Sequence, residues 1–309
     1  MFIFLIYLQK LRKMRESVVN LFRKIILLKY KLPNNDVNKS IYSTIEDCCY
    51  ESTDDSELSR IIYNTLIDYA FNENDMDMDL ESLHTEAISQ RIRIEEEDNE
   101  DTQLKYGFFG EVLLNLMLRI YYSTNGIIAK GYFYNILKPE EPKGYDSYHL
   151  IETSDKTELW FGEVKFYQSY KHALSSVFDN IQKAISDDYF RKNLLSITPQ
   201  KNNLDTNSVT IKNMIKHLRI NPTTSIEKLK NQFAIKLIYP IFILCNSISD
   251  YDKTISSIIR NIEKKHSNKS LDIGLEYDLF FILLPVSDVK QIKQQVLQWI
   301  KLKQPLSLL

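Results

Sequence analysis

The spacing of apolar positions predicts helices through the first third of the chain. Residues 2–30 follow the pattern of one helix with a basic face. Residues 56–72 place apolar side chains three and four positions apart, which is the repeat of a second helix. A third, acidic helix is expected from about residue 80 to residue 91. We therefore expect residues 1–101 to form a helical N-terminal region.

From residue 102 the pattern changes to strands alternating with helices. An almost wholly apolar helix is predicted over 102–122, and such a helix is buried on most sides. Three β-like runs follow at 127–137, 145–152 and 158–166, and a long helix is predicted over 170–190.

Two more apolar runs, 234–245 and 277–285, are predicted strands, and each precedes a helix, at 251–266 and 287–303. Pro240 within the first run indicates an edge or a bulge, because proline cannot donate to a sheet ladder. The order helix, three strands, helix, strand, helix, strand, helix describes one α/β domain over 102–309.

Composition removes several classes of protein. The chain has 7 glycines in 309 residues, and it contains no glycine-rich phosphate loop, which excludes a nucleotide-driven motor and a Rossmann dehydrogenase. Its three cysteines form neither a disulfide framework nor a zinc spacing. The apolar start, residues 1–8, is too short to span a bilayer. We therefore expect a cytoplasmic protein without a membrane partner.

Charge is distributed unevenly along the chain. Residues 45–101 hold 19 acidic and 3 basic side chains, a net charge of −16, whereas residues 102–309 carry +7. The basic part permits binding of DNA through its phosphates. The acidic part is suited to a basic partner surface, with simple solvation as the alternative.

A turn cluster between two of the predicted strands places three charged side chains together. If the turn is centred on Ser154 and Asp155, the antiparallel ladder brings Asp146 opposite Glu163. Lys165 lies two residues beyond Glu163 and therefore shares its face of the strand. The hairpin is otherwise apolar, which argues against the alternative of an exposed glutamate–lysine pair on a strand surface.

This arrangement suits metal-assisted hydrolysis. Two opposed carboxylates offer the hard oxygen ligands that Mg²⁺ or Mn²⁺ prefers. The metal would polarise a phosphate oxygen and lower the pKa of a bound water, and Lys165 would stabilise the developing negative charge. Gly144 and Gly162 closely precede the two carboxylates and leave room for a backbone to approach.

The pattern resembles the PD-(D/E)xK nuclease superfamily. Its two halves read KGYD at 143–146, without the superfamily's proline, and GEVK at 162–165. More narrowly, residues 105–195 are similar to the C-terminal nuclease domain of the HamA family, the smaller subunits of Hachiman anti-phage defence systems. The similar stretches are GFFGEVLLNLML, PKGYDSYHL and LWFGEVKFYQSYKHALSSVFDNIQKAISDDYF.

The resemblance implies a restriction-endonuclease-like core, in the order α-β-β-β-α-β, over residues 102–309. It implies a Mg²⁺- or Mn²⁺-dependent DNA nuclease in which Asp146 and Glu163 are metal ligands and Lys165 is the catalytic lysine. Glu111, on the preceding helix, matches the acidic residue that completes the metal site in this superfamily.

The same resemblance implies a partner, a superfamily 2 helicase that supplies the ATP hydrolysis for which this chain has no motif. Residues 1–101 are then a partner-binding or regulatory region, and His172 is a candidate for a phosphate contact. Two alternatives remain open. One is a catalytically inactive subunit that regulates a helicase, and the other is a nuclease that acts on RNA.

Overall fold

Within its described residues, the chain forms a mixed sheet of eight strands with helices on both faces. The computed structural model describes residues 14–34, 43, 45–72, 79–135, 137, 143–248, 250–267 and 277–307. The strands are β1 (Ile26–Leu32), β2 (Asp47–Ser52), β3 (Asn125–Gly126), β4 (His149–Glu152), β5 (Thr157–Trp160), β6 (Glu163–Phe166), β7 (Ile235–Asn246) and β8 (Asp278–Val286).

The α-helices are α1 (Glu16–Ile25), α2 (Asp55–Asn64), α3 (Leu66–Ala70), α4 (Leu80–Glu86), α5 (Glu100–Gln103), α6 (Phe108–Tyr121), α7 (Tyr170–Ala184), α8 (Asp187–Ile197), α9 (Val209–Ile220), α10 (Ile226–Phe233), α11 (Tyr251–Ser267) and α12 (Val289–Leu302). A π-helical turn covers Ala87–Arg91, and 3₁₀ turns cover Lys130–Phe133 and Thr198–Asn203. Among the described helices, none combines the length and apolar character needed to cross a membrane.

The sheet runs in the order β1-β2-β8-β7-β5-β4-β3, and β6 continues beside β7 after β5 has ended. Alternate residues of β7 enter two different hydrophobic cores, since Phe242 packs with α6 and α12 while Ile241 and Ile243 pack with α7 and α11. An α/β protein with a mixed sheet flanked by helices is therefore confirmed. The restriction-endonuclease-like order of its core stays a prediction.

The prediction of a helical N-terminal region is wrong for two segments, because β1 and β2 are strands of the same sheet. β1 pairs antiparallel with β2, and β2 pairs parallel with β8. A short apolar run such as Ile26–Leu32 fits either a helix or a strand, and here pairing with distant residues decides. Residues 1–13, including the apolar start, lie outside the described residues. A partner-binding or regulatory role for residues 1–101 stays a prediction.

The strand predicted at 127–137 is also wrong. Pairing with β4 is confined to β3, and the chain then turns through Lys130–Phe133. A Cβ atom at Gly131 would collide with the backbone of Ala70, so this segment packs closely against α3 instead of extending the sheet. The helix predicted over 170–190 is divided as well, because Ser186 caps a new helix, α8.

The β4–β5 hairpin has the predicted register. His149 faces Trp160 and Glu152 faces Thr157. The long strand predicted at 158–166 is, however, interrupted at Phe161 and Gly162 between β5 and β6.

The interruption lies beside Pro240. The strand β7 is interior, with β8 on one side and β5 and β6 on the other, so of the two predicted alternatives, an edge or a bulge, the edge is wrong. The parallel ladder to β5 ends at Ile238, and the ladder to β6 starts at Ile241. Pro240, which has no N–H group, therefore occupies a place where the neighbouring strand is broken.

Candidate active site

Asp146 is fixed at the break between β5 and β6 by backbone contacts. Its N–H donates to the Gly162 carbonyl at 2.9 Å, and its Oδ2 accepts the N–H of Val164 at 2.8 Å. The Gly162 N–H in turn donates to Ser147 Oγ at 3.1 Å. These contacts bring Asp146 beside the strand that carries Glu163 and Lys165, although the regular ladder that predicted this proximity ends earlier.

Glu163 and Lys165 form a close ion pair at the start of β6. Lys165 Nζ lies 2.6 Å from Glu163 Oε1, and each side chain is 17% exposed. The Tyr239 hydroxyl donates to Glu163 Oε2 at 3.1 Å, so both oxygens of this carboxylate have partners. Burial lowers the pKa of Lys165, but the negative charges of Glu163 and Asp146 raise it further, and the net effect is a raised pKa. Lys165 is therefore positively charged at neutral pH.

Glu111 supplies a third carboxylate from the first turn of α6. It is buried, and its Oε2 accepts a hydrogen bond of 2.6 Å from the hydroxyl of Tyr69 on α3. Withdrawal from water, followed by the negative charges of Glu111 and Glu163, raises the pKa of Asp146 well above its usual range. The three predicted metal ligands therefore act on one another electrostatically.

The chemistry of these groups fits a divalent cation, because Mg²⁺ and Mn²⁺ take oxygen ligands. A cation would also relieve the carboxylate repulsion that raises the pKa of Asp146. Within the described parts of the chain, however, no set of three or more acidic, histidine or cysteine side chains is arranged to hold a metal. Glu163 contacts Lys165 and Tyr239, and Glu111 contacts Tyr69. To bind a metal ion, these carboxylates would have to exchange those partners for the ion.

The cluster opens to solvent through a cleft, which we call the carboxylate cleft. Glu111, Asp146 and Lys165 line it together with Lys105 and Lys293. A phosphate group entering the carboxylate cleft would meet two carboxylates and three lysines. The arrangement can bind a phosphodiester through its lysines and place it beside the carboxylates.

Comparison with protein families gives one result that decides the family. The family model HamA matches residues 20–300, nearly the whole chain. The chain belongs to the HamA family. This confirms the resemblance and supports a role as a subunit of a Hachiman defence system. Neither the comparison with curated proteins nor that with solved structures gives a match.

Two residues beside the site of this HamA family member were not predicted. Lys130 is buried, its Nζ donates to the Tyr145 carbonyl, and its charge lowers the pKa of Asp146. Tyr69 reaches Glu111 from the N-terminal region, outside the residues predicted to form the nuclease-like domain. Lys130 precedes Gly131, which is the one local signal for it, whereas no local pattern indicates Tyr69.

Gly144 of this HamA family member was expected to leave room for a backbone to approach, but it leaves room for side chains instead. Its φ is +135°, and a Cβ there would lie 2.5 Å from both Asn193 Oδ1 and the Tyr148 hydroxyl. Asn193 Oδ1 accepts hydrogen bonds from the Tyr145 N–H at 3.2 Å and from the Tyr148 hydroxyl at 2.7 Å. Glycine at this position therefore makes room for a buried hydrogen-bond network that holds the segment leading to Asp146.

Proposed function

We propose that this HamA family member is a metal-dependent DNA nuclease that hydrolyses phosphodiester bonds as part of a defence complex. The observation that carries the proposal is the placement of Asp146, Glu163 and Lys165 at one break in the sheet, within hydrogen-bonding or electrostatic reach of each other. Glu111 lies near enough to raise the pKa of Asp146, which supports a common site for all three carboxylates.

In this proposal Asp146, Glu163 and Glu111 would hold Mg²⁺ or Mn²⁺. When bound, the metal would polarise a phosphate oxygen and lower the pKa of a water molecule. Lys165 stays charged at neutral pH and stabilises the additional negative charge of the reacting phosphate. Lys130 holds the Tyr145 carbonyl and thereby the backbone next to Asp146.

The proposal includes a helicase partner of superfamily 2. The chain contains no glycine-rich nucleotide loop, so unwinding of duplex DNA at the expense of ATP requires another protein. The three cysteines, all within the described residues, are buried and form no disulfide, which is consistent with a reducing compartment such as the cytoplasm. In this proposal the acidic segment 45–101 contacts a basic surface of the partner.

The test is cleavage of linear and circular DNA by the purified chain, alone and with its helicase, in Mg²⁺, Mn²⁺ or EDTA. We expect Asp146→Asn and Glu163→Gln each to lower the rate by at least about 100-fold, since each replaces a carboxylate that would hold the metal in this proposal. Glu158→Gln, on the same hairpin but outside the carboxylate cleft, is the matched control and should cut DNA normally.

Unchanged cleavage by both variants would refute the assignment of the site. Phage protection that survives Asp146→Asn would instead favour the inactive regulatory subunit. Cleavage of RNA oligonucleotides without cleavage of DNA would contradict the assignment of DNA as the substrate and favour a nuclease that acts on RNA.

A further inference from the structure

A second, larger groove extends from the carboxylate cleft. Four residues, Lys105, Phe166, Tyr167 and Lys293, line both, so the two spaces adjoin each other. The groove also includes His172 on α7 and Lys290 on α12, and we call it the lysine groove. Its cavity volume is about 820 Å³, against about 130 Å³ for the carboxylate cleft, which is far more than an ion or a few water molecules need.

The charge of the lysine groove suits a polyanion. Lys105, Lys290 and Lys293 line it against a single acidic side chain, Asp101. Lys105 and Lys290 are exposed, whereas Lys293 is buried and donates from Nζ to the Leu104 carbonyl at 2.9 Å. The buried lysine fixes a positive charge in the wall, and the two exposed lysines are free to reach phosphates.

Tyr167 gives the lysine groove a face for bases. It follows β6 directly, two residues after Lys165, and its N–H donates to the Leu244 carbonyl at 3.1 Å. Its backbone is therefore held by β7, while its side chain is among the large apolar ones left exposed, at 39%. An exposed aromatic ring on a fixed backbone can stack on an unpaired base, whose face is free, and much less on a base inside a duplex.

We propose that the lysine groove binds single-stranded DNA and directs it into the carboxylate cleft. Lys105 and Lys290 contact its phosphates, and Tyr167 stacks on a base next to the bond to be cut. This inference rests on the proposed nuclease function, and it specifies the form of the substrate. Strand separation by a helicase would supply such a strand, since the lysine groove itself recognises an unpaired one.

The test measures binding without cleavage. The full chain, in EDTA, is titrated onto a labelled oligothymidylate of about 20 nucleotides, longer than the usual strand sites, and onto a duplex of equal length, with anisotropy as the readout. We expect the single strand to bind at least about tenfold more tightly than the duplex. Tyr167→Ala should weaken single-strand binding at least about fivefold, and Tyr167→Phe should restore it.

The salt dependence of binding separates phosphate contacts from a structural role. Lys105→Ala and Lys290→Ala should each reduce the slope of log affinity against log salt by about 0.7, the value for one phosphate contact on a single strand. Lys301→Ala, on the same helix as Lys290 but outside the lysine groove, should leave the slope unchanged.

Equal affinity for strand and duplex, or unchanged strand binding by Tyr167→Ala, would overturn the inference. If the chain cuts DNA in Mg²⁺ while the lysine-groove variants bind like the parent, this inference fails and the proposed nuclease function stands. If the strand binds as expected but no metal supports cleavage, the binding of single-stranded DNA by the lysine groove is confirmed and the proposed nuclease function fails.

Discussion

Two glutamate–lysine pairs of the same spacing lie at opposite ends of one hairpin and its continuation. Lys156 and Glu158 pair at 2.6 Å near the turn, and Glu163 and Lys165 pair at 2.6 Å beside the break in the strand. The lysine near the turn is 51% exposed, whereas the inner lysine is 17% exposed. The two glutamates are similarly buried, 13% and 17% exposed, so the pairs have the same length and differ in the exposure of their lysines.

The surroundings, rather than the pair, distinguish a site from a surface contact. At the turn, Glu158 has Lys156 and the Trp160 indole as partners, and an exposed pair of this kind contributes about 0–1 kcal/mol to stability. At the inner end, Asp146 accepts the Val164 N–H beside the break in the strand, and Glu111 on α6 lies near enough to raise the pKa of Asp146. In the proposed site, separate elements therefore add further carboxylates to a glutamate–lysine pair.

The largest difference between the two pairs is expected in catalysis. Lys165→Met removes the charge next to Asp146 and Glu163 and should lower kcat for DNA cleavage by at least about 100-fold. Lys156→Met makes the same chemical change near the turn and should leave kcat unchanged, as measured by steady-state cleavage. Equal loss in both variants would show that the comparison reflects hairpin stability and not chemistry, and thermal unfolding of both proteins serves as the control.

A smaller difference is expected in stability. A Cβ at Gly162 would lie 2.9 Å from Ser147 Oγ and 3.1 Å from Pro240 Cγ, so Gly162→Ala should cost about 1–3 kcal/mol of unfolding free energy. Asp155→Ala, in the exposed turn, should change it by less than about 0.5 kcal/mol. Urea denaturation measures both values, and a Gly162→Ala protein as stable as its parent would mean that the inner end tolerates expansion.

Local patterns predicted the hairpin well. The turn at Ser154 and Asp155 and the alternation of the strands fix the pairing from His149 to Glu152, because a shift of one residue would exchange the two faces. The same register placed Asp146 near Glu163, and the structure brings them together. The long apolar runs of β7 and β8 were also predicted to be strands, but the interior position of β7, which explains why it is apolar on both faces, was not predicted.

Features that depend on distant residues were not predictable. β1 is a strand because it pairs with β2, which in turn pairs with β8, and the sequence of Ile26–Leu32 alone does not indicate this pairing. Gly131 packs on Ala70, some sixty residues earlier, and this contact replaces the expected strand. The hydrogen bond from Tyr69 to Glu111 and the approach of Lys130 to Asp146 likewise join segments that no sequence spacing relates.

The smallest expected difference between the two ends of the hairpin is in pH dependence. His149 closes the inner end of the ladder, its Nδ1 lies 2.7 Å from Thr124 Oγ1, and burial followed by the charge of Arg119 lowers its pKa to about 3. Because the unfolded chain binds the proton more readily, this contribution to stability is complete above about pH 6.5 and is lost as the pH falls towards 3.

His149→Asn keeps a polar partner for Thr124 and removes the titration. The stability gap between parent and variant should narrow by about 0.7 kcal/mol from pH 7 to pH 6, measured by urea denaturation. A gap that stays constant over this range would mean that folded and unfolded chains bind the proton of His149 equally well, and the inner end would then be as open to water as the turn.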